Sequence, residues 1–72
     1  MNSSELLAIL DKGANITINC EEWNTTVLIQ FVKHASDNNA HVTIKGARFL
    51  NQTDRQQIAY VANGHVAFDF TE

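Results

Sequence analysis

An α/β domain is expected, of order αβαβαβ, with three parallel strands in spatial order 1-2-3 and all helices on one face. Three observations carry that expectation. The stretch Asn39 to Lys45 (NAHVTIK) returns 24 residues later as Asn63 to Asp69 (NGHVAFD), and a shifted version (GANITIN) occupies Gly13 to Asn19. Between the copies lie segments with helical spacing, too long for hairpins, so successive strands run parallel through right-handed crossovers. All three strands alternate polar and apolar residues, whereas a sheet covered on both faces reads as a continuous apolar run. One face is therefore bare. The alternative is a compact α/β sandwich with helices on both faces.

Each copy opens with a residue that tolerates a left-handed turn, Gly13, Asn39 or Asn63, as befits a chain leaving a helix for a strand. Helix one is expected over Ser3 to Lys12, with Leu6, Leu7, Ile9 and Leu10 on one side, a cap at Asn2, Ser3 or Ser4, and Glu5 in the first turn. Strand one then points Ile16, Ile18 and Cys20 one way and Asn15, Thr17 and Asn19 the other. Asn24 or Thr25 caps helix two, which runs to about Ser36 and buries Val27, Leu28, Phe31, Val32 and Ala35. Ser36 to Asn39 is turn chemistry. Strand two sends Val42, Ile44 and Gly46 inward and His41, Thr43 and Lys45 outward. Thr53 with Gln56 reads as the capping box of helix three, whose inner face is Ile58, Ala59, Val61 and Ala62. Strand three carries Val66, Phe68 and Phe70 inward and His65, Ala67 and Asp69 outward. Trp23 and Phe49, at matching places in successive units, are expected to plug the core beneath the strand-to-helix loops.

Composition narrows the function classes. Residues 1–72 make a single domain of three α-β units, near the size where one core only just offsets chain entropy. Burial gained against a partner or a second copy is thus expected to help. Apolar residues make up 44% and charged ones 18%, the balance of a globular chain. A net charge of -3, with five Lys and Arg scattered singly, offers no basic stripe, so nucleic acid is excluded as the expected ligand. The one cysteine forms no internal disulfide, and the N-terminal apolar run is too short and broken for a signal or a membrane span. A reducing, cytoplasmic setting and no membrane contact follow as expectations.

One-sided parallel β-α units of 24 to 27 residues resemble the leucine-rich-repeat solenoids. The likeness is one of unit length and layout over Ala14 to Phe70. The family's Leu-x-x-Leu-x-Leu-x-x-Asn ladder is absent, and helices stand where that family has tighter turns. What the resemblance implies is that partners bind the open sheet face.

In register, that face shows three rows: Asn15, His41 and His65; Thr17, Thr43 and Ala67; and Asn19, Lys45 and Asp69. With strands about 4.8 Å apart, His41 lies beside His65 and Lys45 faces Asp69. A polar sheet face that is simply wet explains the same alternation. Zinc needs three or four ligands, and only Asn15 and a more distant Asp69 accompany the two histidines, so no metal site is assigned. Two neighbouring imidazoles would make the face pH-sensitive, because they repel when both are protonated. Catalysis lacks parts: Cys20 points to the core, the acidic residues form no constrained pair, and isolated glycines make no phosphate loop. No cofactor and no enzymatic activity are expected.

The expected function is a small protein-protein interaction module binding through the polar sheet face or the edge of strand three. That edge reads HVAFDF and has little charge to blunt it, so a homodimer through it is expected. The alternative is an acidic inhibitor or immunity-type protein that neutralises a basic partner. Metal-dependent hydrolysis at His41 and His65 is the least favoured reading.

Overall fold

The computed structural model describes residues 2–71. In chain order these form α1 (Ser3–Asp11), β1 (Ile16–Asn19), the short 3-10 turn η1 (Cys20–Glu22), α2 (Thr25–Asp37), β2 (Val42–Lys45), the 3-10 turn η2 (Ala47–Phe49), α3 (Gln52–Ala62) and β3 (Val66–Asp69). The three strands form one parallel sheet in the order β1-β2-β3. Register follows the repeat residue by residue: Ile16, Val42 and Val66 stand side by side, as do Ile18, Ile44 and Phe68.

Local chemistry explains the joints. Gly13 (φ 82°), Asn39 (φ 56°) and Asn63 (φ 49°) all adopt the left-handed conformation, so the same backbone reversal delivers each helix to its strand. At the other ends, Asn2, Asn24 and Asn51 cap α1, α2 and α3. In α1 the cap is reciprocal, the Asn2 side chain accepting from the Glu5 N–H at 3.0 Å while the Asn2 N–H donates to Glu5.

The helices form a single row, α2 between α1 and α3, on one side of the sheet. Leu28, Phe31, Val32 and Ala35 of α2 recur at the spacing of one helical face and are fully buried. They meet Val42 and Ile44 of the central strand together with Ile18, Leu10, Ile58 and Ala62. Each such large side chain contributes roughly 1.5–3 kcal/mol by leaving water. Trp23 is half-buried against the core, edge-on to Phe31 with ring centroids 5.1 Å apart, so it plugs the core with one side of its ring system only.

Four side-chain expectations need correction. Phe49 is 55% exposed instead of plugging the core: Gly46 is left-handed (φ 70°), η2 follows at once, and the ring swings outward beneath the Arg48 guanidinium. Phe70 lies one residue beyond β3 and is 50% exposed, with the Arg55 guanidinium of α3 5.5 Å from its ring centroid. The cap of α3 is Asn51, whose Oδ1 accepts from the Asp54 N–H at 2.7 Å, and the helix has already begun at Thr53. Ala59 is exposed, its neighbours Ile58 and Ala62 being the residues turned to the core. Among the described residues no helix is long and apolar enough to cross a membrane.

Candidate functional site: the bare sheet face and its two edges

Opposite the helices, the three rows form as the repeat requires. Asn15, His41 and His65 precede the paired residues, Thr17, Thr43 and Ala67 pair in the middle, and Asn19, Lys45 and Asp69 pair at the C-terminal end. Asn15, Thr17 and Lys45 are exposed and the other six are half-buried.

Within the rows, several side chains are already engaged. His65 Nδ1 lies 2.8 Å from the Ala40 carbonyl, which can only accept, so Nδ1 carries the proton. That bond holds the ring against the β2 entry. Asn19 turns its Oδ1 back to accept from the Glu21 N–H at 2.9 Å, capping η1. Asp69 accepts from both the N–H and the hydroxyl of Thr71. Those bonds, with the positive field of Lys45 beside it, hold the Asp69 carboxyl below the usual carboxylate range. The Lys45 and Asp69 carboxylate-ammonium neighbours are thus aligned by register, while the direct bonds of Asp69 go to Thr71. Among the described residues no three His, Cys, Asp or Glu side chains converge as metal ligands would.

Cys20 lies behind this face. Its thiol donates to the Gly46 carbonyl at 3.0 Å, and burial, then the Glu21 charge, pushes its pKa up. It is a buried core thiol held in its neutral form.

The sheet edges differ from each other. The Ile16 N–H donates to the His41 carbonyl and the Val42 N–H to the His65 carbonyl. In a parallel ladder alternate residues bond to opposite sides, so the backbone groups of Thr17 face the open edge of β1 and those of Val66 and Phe68 face the open edge of β3. Beside the β1 edge, Leu6 of α1 contributes to an open groove of about 500 Å³ lined also by Thr17, Ile18, Asn19, Glu22, Trp23 and Lys45. The β3 edge carries rings instead. Val66 and Phe68 are half-buried, the Phe68 and Phe70 rings lie 6.3 Å apart, and the Arg55 guanidinium sits 5.5 Å from the Phe70 centroid.

Sequence reasoning missed two features. The groove joins Leu6 to Trp23 across separate units, a juxtaposition that the spacing within one unit does not encode. The second lies among the helices, where His34 Nδ1 meets Asp11 Oδ1 at 2.7 Å and Asn38 donates to the same oxygen at 3.4 Å. Both partners sit in the last turns of neighbouring helices, and aligning α1 with α2 by their left-handed exits would have paired them.

Comparison with protein-family models, curated proteins and solved structures finds no match to this chain.

Proposed function

We propose that this protein is an interaction module without chemistry of its own, which docks a protein partner through the β3 edge and the adjoining polar sheet face. One observation supports the reading above the others. β3 carries an apolar inward strip that its own fold leaves half covered, with Phe70 half exposed beside unpaired backbone groups. A strand edge of that kind recruits another chain by ladder hydrogen bonds, while the exposed rings supply anchoring area. The nine face residues then add selectivity. The exposed Lys45 and the half-buried Asp69 give charge, and Asn15, Thr17 and Thr43 give hydrogen-bonding groups beside the two imidazoles. The lone buried thiol is compatible with a reducing, cytoplasmic setting.

Capture with the purified chain as bait tests this. Phe70→Asp is expected to abolish recovery of a partner that the parent chain retains, and Thr43→Arg with His65→Asp to weaken it. Recovery unchanged by all three substitutions would remove both the edge and the face from consideration.

A second reading, an acidic inhibitor of a basic partner, is favoured by the net charge of -3 and by Glu21 and Glu22 standing exposed together on η1. It predicts binding that weakens steeply with salt. Salt-independent binding would dismiss it.

A further inference from the structure

We propose that the two open edges are complementary to each other, so that the β3 edge of one copy docks beside β1 and under α1 of a second copy, extending the parallel sheet head to tail. The inference rests on the interaction reading above and names a second copy of this chain as the occupant of the edge.

The repeat geometry is the first support. The step from β1 to β2 and the step from β2 to β3 use the same register, with Ile18, Ile44 and Phe68 side by side. Applying the step once more sets a neighbour's Ile16 beside Val66 and its Ile18 beside Phe68. Backbone polarity agrees: Val66 and Phe68 present their N–H and C=O groups outward on one edge, Thr17 presents its own on the other, and parallel pairing joins them as it joins the interior strands.

Side-chain complementarity is the second support. Val66 and Phe68 touch the core but are left half covered, and Phe70 is half exposed beside Arg55 of α3; beside the β1 edge, α1 offers an open groove whose apolar lining is Leu6, Ile18 and Trp23. The extended register carries the Phe68 and Phe70 rings to that groove. Charge supplies a partner too, since Arg55 travels with Phe70 and the groove lining holds the Glu22 carboxylate as well as Lys45. A two-fold β3-to-β3 pairing would use only one of the two edges and leave the Trp23 groove open. An interface of ordinary size takes roughly 800 Å² from each partner, about a fifth of the chain's 4283 Å². One four-residue edge with its flanking strips supplies part of that, so the association is weak and grows with concentration.

Sedimentation across concentration, with two edge-blocked variants, decides the matter. Thr17→Pro removes an N–H that faces the open β1 edge and no bond inside the sheet. Phe70→Asp puts a charge at a half-exposed position of the β3 edge. The parent chain is expected to grow past dimer as concentration rises, and each variant alone is expected to stay monomeric. The two variants mixed are expected to double in mass and stop, because one intact edge of each kind remains. Circular dichroism melts establish that both variants are folded, and Leu6→Glu replaces Thr17→Pro if the proline variant is not. Trp23, the single tryptophan, supplies a second readout. Its quenching by acrylamide is expected to fall as the parent chain associates.

Self-association that survives Thr17→Pro and leaves Trp23 quenching unchanged overturns the head-to-tail join in favour of a β3-to-β3 seam, and leaves the edge reading standing. A parent chain that is monomeric at its highest soluble concentration overturns the second copy as occupant. The edge reading fails separately, when partner capture is indifferent to Phe70→Asp.

Discussion

Replacing Gly46 by alanine tests how the sheet face is tied to the turn that follows it. Gly46 is buried, has φ of 70° and ends the β2 segment. A methyl group there would lie 3.3 Å from Asn19 Oδ1 and 3.6 Å from both Cys20 Sγ and the Phe49 ring. Asn19 cannot easily yield, because that same oxygen caps η1 through the Glu21 N–H. The left-handed backbone alone costs an L-residue roughly 1–2 kcal/mol, and the crowding adds about 1 kcal/mol more, at the lower end of overpacking costs. The sum, about 2–3 kcal/mol, is a large share of the stability of a small domain, roughly 0.05–0.15 kcal/mol per residue. Gly13→Ala is the matched control, since Gly13 has φ of 82° but is exposed, with only the Asn38 carbonyl nearby at 3.4 Å. It should show the backbone cost without the crowding. Urea unfolding of both variants and the parent chain gives the comparison directly, and thermal midpoints should fall by about 4–8 °C per kcal/mol. Equal losses at the two glycines would refute the claim that Asn19, Cys20 and Phe49 close around Gly46.

Four further outcomes are expected. Asn51→Ala should cost about 1 kcal/mol, and Thr53→Ala much less, in the same urea experiment; the reverse order would restore the Thr53 capping box. Phe31→Ala should cost about 3–5 kcal/mol, enough to leave the variant largely unfolded by circular dichroism; a cooperative near-parental melt would show that the core is not centred on α2. Cys20 should resist a thiol reagent in the folded chain and react fully in denaturant, because burial keeps the thiol protonated; rapid native-state labelling would contradict its placement. Since the folded pKa of Asp69 lies below its unfolded value, its contribution is present above the ordinary carboxylate pKa of about 4 and is lost as pH falls through the folded value. Asp69→Asn should therefore flatten the acid limb of stability, measured by denaturation from pH 2 to pH 6, a range set by the usual spread of Asp pKa values of roughly ±1. An unchanged limb would contradict the Thr71 bonds.

What could be read from the chain, and what could not, divides along a physical line. Strand parity and register were readable because a period of two, written three times between left-handed joints at Gly13, Asn39 and Asn63, permits one alignment. The buried stripe of α2 was readable for the same reason at period 3.6. The misses fall where the repeat is interrupted. Phe49 and Phe70 have inward parity by analogy with Trp23 and Cys20, yet a left-handed Gly46 redirects the first and the second falls just past the end of β3, at the edge of the sheet. The cap of α3 went to Asn51 because its amide oxygen takes the Asp54 N–H and starts the helix at Gln52, which leaves Thr53 already inside it. At the candidate site, the nine face residues followed from parity. The bonds that occupy them, His65 to Ala40 and Asp69 to Thr71, depend on rotamers that no spacing encodes.

The three matching left-handed joints have a consequence for engineering. Because each hands its helix over to the sheet by the same bend, a whole helix-strand segment is an exchangeable cassette. Splicing a duplicate of Asn24 through Lys45, with its trailing turn, ahead of the third segment should widen the sheet by one strand and lengthen the helical layer by one member. The stability of the widened molecule would then report how much each added segment contributes to its neighbours.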